Sequence, residues 1–222
     1  MCLIYMPTWA IIPVKRLSEA KSSLSAVLAP EQRRRLVLSM LADVLGAVHQ
    51  APSIANTIVV SPDERVLSFA RLHGAEGVAE PSLGLNEALK LAIRHAISKG
   101  VDSVLILPAD LPLLKSVDVE NLIAAASAPK DVMIAPSKAK GTNALFLRPP
   151  DFINLRFGGE SFPLHVKEAS QAGVRPRVYR STTVALDIDG PEDLLSVETL
   201  GLGTRTYEFL HSLNVQKCTK KT

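Results

Sequence analysis

Ser103-Val-Leu-Ile-Leu107-Pro-Ala-Asp110-Leu-Pro-Leu113 is the stretch from which the rest of the chain can be read. Residues 103–107 are apolar without alternation, the pattern of a strand buried on both faces in a parallel sheet. Pro108 ends the strand, and Asp110 follows between two prolines. In open α/β sheets, ligands bind beyond the carboxyl ends of the strands. A rigidly held carboxylate at that position suits Mg2+, which takes one or two carboxylates plus substrate phosphates. A turn aspartate bonded to its own loop is the competing reading of Asp110.

Working outward, strands and helices alternate. Upstream, Asn86 is placed to cap a helix whose apolar face is Leu89, Ile93 and Ile97. Before it come a weak strand at 74–79, a helix over 62–72 and a β-branched strand at 57–60. Pro30 suits a first helical position, ahead of Val37, Met40, Leu41, Val44, Leu45 and Val48 at helical spacing. The first strand is expected at 9–14. Downstream, the pattern predicts a helix over 117–126, strands at 132–135 and 144–147, a helix over 161–172, strand material within 178–188 and a helix over 191–198. This alternation predicts a single-domain three-layer α/β/α fold with a mostly parallel mixed sheet, Rossmann-like. The domain is expected to fill residues 1–213, with 1–7 as a leader (Met6 would also serve as a start) and 214–222 as a basic tail.

Composition agrees with that class. Of 222 residues, 47% are hydrophobic and 21% charged, which excludes a disordered or fibrous chain. The net charge of +3 is too small and scattered to argue for nucleic acid, but it fits a protein that handles small anions. The two cysteines, Cys2 and Cys218, form neither a disulfide framework nor a zinc spacing, so a reduced cytoplasmic compartment is the default. No uncharged apolar run reaches the length of a membrane span.

Further candidates lie at strand ends. The loop after the first strand carries Pro13, Lys15 and Lys21, two ammonium groups suited to a polyphosphate or else a solvated basic loop. It has no glycine, so it is not a P-loop. Gly84-Leu85-Asn86 follows the weak third strand and is placed to meet a base edge. In Ala185-Leu-Asp187-Ile-Asp189-Gly-Pro-Glu192-Asp193, strand alternation would put Asp187 and Asp189 on one face, where with Asp110 they would make a three-carboxylate magnesium site. Asp189 has a second reading as helix cap, with Glu192 closing a capping box. Thr142, then Gly158 and Ser161, sit where backbone and a helix start can approach an anion; a glycine turn with an ordinary cap reads equally well. His165, one turn into that helix, reads as structural rather than catalytic.

In this order, Pro13-Val-Lys15…Ala20-Lys21, Gly84-Leu-Asn86, Pro108-Ala-Asp110-Leu-Pro112 and Asp187-Ile-Asp189-Gly-Pro191-Glu192-Asp193 resemble GT-A-type nucleotidyltransferases, the nucleotide-diphospho-sugar transferase group. The segment Gly141-Thr-Asn143…Phe157-Gly158…Ser161…His165 is similar to the 2-phospho-L-lactate guanylyltransferase (CofC) family of coenzyme F-420 synthesis. The resemblance covers residues 8–213. It implies a reaction of GTP with 2-phospho-L-lactate to give lactyl-2-diphospho-5′-guanosine and pyrophosphate; bacterial relatives use phosphoenolpyruvate. It also implies Mg2+ held by Asp110, Asp187 and Asp189, and a triphosphate met by Lys15 and Lys21. Gly84, Leu85 and Asn86 would lie near guanine or ribose, and Thr142, Gly158 and Ser161 would hold the small phosphorylated carboxylic acid. A homodimer rests on the resemblance alone. No nucleic acid or membrane partner is expected. The competing readings are a related nucleotidyltransferase with another acceptor (3-phosphoglycerate, molybdopterin or a sugar phosphate) and a non-catalytic nucleotide-binding module.

Overall fold

The computed structural model describes residues 7–82 and 84–213. The expected basic tail, both cysteines and all of the leader but Pro7 lie outside the described residues. One seven-stranded sheet is formed by β1 (Thr8–Pro13), β2 (Ile54–Ser61), β3 (Glu76–Ala79), β4 (Ser103–Ile106), β5 (Asp131–Pro136), β6 (Thr142–Arg148) and β7 (Arg177–Val178). Their spatial order is β3-β2-β1-β4-β6-β5-β7, and β6 alone runs antiparallel to its neighbours. The helices are α1 (Pro30–His49), α2 (Glu64–Leu72), α3 (Leu85–Ser98), α4 (Ser116–Ala124), α5 (Ser161–Gln171), α6 (Thr182–Ala185), α7 (Pro191–Leu200) and α8 (Arg205–Ser212). Among the described residues, no helix is long and apolar enough to cross a membrane.

The strands read as unbroken apolar runs because both faces are covered. On one face Ala10, Ile12, Val59, Leu105 and Phe146 pack under residues of α1, α2, α4, α7 and α8. On the other, Ile11, Ile58, Val104, Ile106 and Leu145 pack under α3 and α5. These are the three layers that the alternation predicts. Successive residues of β1 point to opposite cores, as pleating requires. The short connection at 137–141 joins β5 to β6 as a hairpin, closed by Ser137 N–H to the Gly141 carbonyl at 3.0 Å and Gly141 N–H to Ser137 Oγ at 2.9 Å. A connection that short cannot make a parallel crossover, which accounts for the reversal at β6.

Three local expectations are corrected. The strand material at 178–188 amounts to Val178 at the end of β7; the helix α6 follows, and residues 186–190 belong to no strand or helix. Leu186 and Ile188 are buried by core packing, and Ile188 N–H bonds the Asp110 carbonyl at 3.1 Å. Asn86 does not cap α3; that position belongs to Gly84, whose φ of +86° suits a glycine. Asp189 does not cap α7 either. Gly190 stands there, and Asp193 rather than Glu192 reaches back to the N–H groups of Asp189 and Gly190 at 2.9 and 2.8 Å.

Candidate active site

A cleft of about 610 Å³ opens beyond the carboxyl ends of β1, β2 and β4. Pro13, Lys15 and Lys21 reach it from the loop after β1, Gly84 and Leu85 from the start of α3, Asp110 from the loop after β4, and Asp189 from the approach to α7. Here the strand order reverses: β1 connects through α1 to β2 on one side, and the chain returns from β3 through α3 to β4 on the other, the place a doubly wound fold leaves open. The loop after β1 is tied down at several points. Leu17 N–H donates to Asp63 at 3.0 Å, and Arg33 donates to the carbonyls of Ala20 and Leu28. Arg16 reaches across to the Ser82 hydroxyl at 2.7 Å.

Lys21 is the centre of the charged cluster. Its backbone is left-handed, with φ 44° and ψ 52°, a conformation uncommon for a residue other than glycine. From there Nζ meets Asp110 Oδ2 at 2.6 Å and Asp189 Oδ1 at 3.2 Å. Burial pulls its ammonium pKa down, but Asp110 and Asp189 outweigh burial and hold it above the ordinary lysine value. Ser23 donates to the Asp189 carbonyl and fixes the same junction. Asp187 is half-buried. Burial pushes its carboxyl up; the Asn143 amide, donating to Oδ1 at 3.2 Å, pulls it back; the charges of Asp110 and Asp189 push it up again. The three carboxylates are thus electrostatic neighbours. Among the described residues, however, no three acidic or histidine side chains converge on a single metal position, and Lys21 stands between Asp110 and Asp189. Lys15 is exposed on the cleft wall and makes no ion pair among the described residues.

Thr142, Ser161 and His165 form a second group, all buried. Ser161 Oγ donates to Thr142 Oγ1 at 3.1 Å, Thr142 Oγ1 lies 2.9 Å from His165 Nδ1, and Arg156 N–H donates to His165 Nε2 at 2.9 Å. Burial lowers the His165 pKa to about 4, although Glu168 raises it somewhat. Gly158 lies in the loop just before this group, at φ +142° with open space where a Cβ would stand. The two groups are linked. Asn86 clamps the main chain of Phe157, accepting from its N–H at 2.9 Å and donating to its carbonyl at 3.0 Å. Phe157 lines the cleft and packs edge-on against the His165 ring at 4.8 Å. Thr142 is followed in sequence by Asn143, which holds Asp187.

The structure therefore brings Pro13, Lys15, Lys21, Gly84, Leu85, Asp110 and Asp189 to one cleft wall. It places Asp187 behind them, and Thr142 with Ser161 beyond Phe157. The Asn86 side chain is engaged by the chain itself. Sequence reasoning quoted Asn143 without giving it a role, and it missed Asp118. Asn143 stands directly before the apolar run 144–147, and an amide buried in a strand needs partners, which was a usable signal. Asp118, at the start of α4, accepts from Tyr179 Oη, Ser181 Oγ and Thr183 Oγ1 at 2.9, 2.7 and 2.7 Å, anchoring the segment that leads to Asp187. Its spacing to those partners carries no sequence signal.

A sequence profile of the family described as "Guanylyl transferase CofC like" matches residues 8–222. The phosphoenolpyruvate guanylyltransferase of Rubrobacter xylanophilus is 45% identical over 197 residues, 88% of this chain and 96% of that protein. The 2-phospho-L-lactate guanylyltransferase of Methanothermobacter thermautotrophicus is 41% identical over 209 residues, 94% of this chain and 92% of that protein. A crystal structure from Desulfovibrio desulfuricans G20, named for nucleotide-diphospho-sugar transfer, superposes with a TM-score of 0.77 at 18% identity, covering 95% of this chain and 97% of the other. At that identity the likeness concerns the fold.

Proposed function

The chain belongs to the CofC guanylyltransferase family, and from that premise we propose that it joins GMP from GTP to the phosphate of a small 2-phosphorylated carboxylic acid, releasing pyrophosphate. It is a nucleotidyltransferase enzyme. The observation that carries the finer reading is the meeting of Lys21, Asp110 and Asp189 on the wall of a cleft at the strand ends. The Thr142–Ser161 hydroxyl pair is joined to Phe157, which lines that cleft, through His165.

The chemistry asks little else of the protein. The acceptor phosphate is already a nucleophile at neutral pH. Its oxygen forms a bond to the α-phosphorus of GTP, and the bond from that phosphorus to the bridging oxygen of pyrophosphate breaks. No general base or covalent side-chain intermediate is needed; positioning and charge stabilisation do the catalysis. We assign the nucleoside triphosphate to the cleft between Lys15 and Gly84, and the phospho-acid to the side of Thr142, Gly158 and Ser161. Asp110, Asp187 and Asp189 offer the hard oxygen donors that Mg2+ prefers, and their mutual repulsion at Asp187 favours a divalent cation nearby. When bound, the ion would reduce repulsion between the two phosphate groups. Lys21 holds Asp110 and Asp189 in place for it, and Asn143 holds Asp187.

The sequence resemblance points to 2-phospho-L-lactate as the acceptor. Phosphoenolpyruvate is the second reading, favoured by the higher identity of the relative named for it, 45% against 41%. The test is pyrophosphate release with Mg2+ and GTP, each acid supplied separately and one reaction lacking an acceptor. Release with either acid and not without one supports the reading, and the faster acid names the acceptor. GTP binding without release in any reaction would point to a different acceptor or a binding module.

A further inference from the structure

We propose that His165 is a positioning residue that turns Thr142 into a fixed hydrogen-bond donor toward the acceptor's phosphate or carboxylate; the inference rests on the guanylyltransferase reading for the identity of that ligand. Arg156 N–H is a backbone donor, so His165 Nε2, 2.9 Å away, must present a lone pair. A neutral imidazole whose Nε2 accepts carries its proton on Nδ1. Nδ1–H therefore donates to Thr142 Oγ1 at 2.9 Å. Ser161 Oγ–H donates to the same oxygen at 3.1 Å. Both lone pairs of the Thr142 hydroxyl are then occupied, and its single hydrogen has no acceptor among the described residues. Thr142 is 5% exposed, and a buried hydroxyl hydrogen without an acceptor is costly. An anionic oxygen of the ligand satisfies it best, whereas a group that can only donate, such as an ammonium, does not. The geometry thus calls for an acceptor oxygen, which a phosphate or carboxylate supplies, and it does so through a ring that is itself wholly buried and whose preference for the neutral form agrees with its surroundings.

The ring is held on every side. Phe157 packs edge-on at 4.8 Å, and Phe157 is in turn fixed by the Asn86 amide. His165 makes no direct claim on the reacting atoms; its effect runs through Thr142 alone.

The experiment compares KM values for GTP and for whichever of phosphoenolpyruvate or 2-phospho-L-lactate the native enzyme uses. His165→Leu is expected to raise the acid's KM at least about tenfold, the equivalent of one lost hydrogen bond, while KM for GTP stays within about twofold. His165→Asn, whose amide N–H can stand where Nδ1–H stands, is expected to recover most of that loss. Equal rises in both KM values, or an Asn variant no better than the Leu variant, would overturn the proposal. Should His165→Leu fail to fold, Thr142→Val must reproduce the selective loss. Independently of turnover, 15N NMR of the native protein decides the tautomer. A His165 ring protonated on Nδ1, shifting when the acid alone is added, supports the assignment; a ring protonated on Nε2 defeats it, even if the enzyme is active. Native protein that turns over neither acid would fail the guanylyltransferase reading, while the tautomer measurement would still stand.

Discussion

Lys21 shows how one residue can organise a charged site. Its ammonium lies between two carboxylates, and its left-handed backbone is tolerated because those contacts, with Ser23 on the Asp189 carbonyl, determine where the side chain must go. Removing charge from the better buried partner tests the arrangement. Asp110→Asn keeps the shape but weakens both the grip on Lys21 and the oxygen donor set. Turnover is expected to fall on the order of a hundredfold, as for other preorganised charges, with an unchanged circular dichroism spectrum; an active variant would remove Asp110 from the machinery. Asn86 makes the opposite case, a polar residue that serves the chain. In Asn86→Asp one oxygen still accepts from Phe157 N–H, but the other faces the Phe157 carbonyl, lone pair to lone pair. A loss of about 1 kcal/mol is expected from a part-buried acceptor left without a donor, read as a lower urea midpoint. If Asn86 instead reads the base, stability will hold and KM for GTP will rise.

At the scale of elements, Asp118 on α4 does for the 179–183 segment what Lys21 does for the carboxylates. Three hydroxyls and the Lys115 N–H converge on it, the last at 3.1 Å. Asp118→Ala leaves those donors without a partner and is expected to cost about 2–4 kcal/mol, seen in urea unfolding. Turnover should fall as well, because the segment leads directly to Asp187. Its position was not legible, since the partners lie 61 to 65 residues away and no local pattern joins them. The long helices and buried strands were legible because apolar period alone specifies them: α1 begins at Pro30 and β4 begins at Ser103, as their patterns require. The segment at 178–188 misled for the same reason. Val184, Leu186 and Ile188 alternate because they pack on the core, but the edge of β5 is paired only as far as Val178, so the alternation never becomes a strand. That Asp110 and Lys21 line the cleft was legible from topology, because both lie on loops that follow strands. The Asn86 clamp could not be read, because its partner, Phe157, is 71 residues away.

Across the whole molecule, the sheet separates two cores, and the cleft lies at the carboxyl ends of its inner strands with the buried His165 on the side of α3 and α5. That burial makes stability depend on pH in a calculable direction. His165 titrates near 6.5 when unfolded and at about 4 in the fold. Between those values the unfolded chain binds a proton that the folded chain refuses, so the stabilisation is complete above pH 6.5 and drains away as pH falls through about 4. From pH 7 to pH 5 this single ring is expected to remove about 2 kcal/mol. His49, lowered first by burial and then by His73, acts in the same sense. Asp43 and Asp187 act oppositely. Burial raises both carboxyls, so their contribution is present below the unfolded carboxylate range and is lost as pH rises through their folded values. Both carboxyls are shared by the native protein and a His165 variant, so their contribution cancels in a comparison of the two. Urea midpoints of native protein and His165→Asn at pH 7 and pH 5 separate the contributions. The native protein should lose more stability across the interval than the variant, by about the amount assigned to the ring; equal losses would show that His165 carries its proton inside the fold.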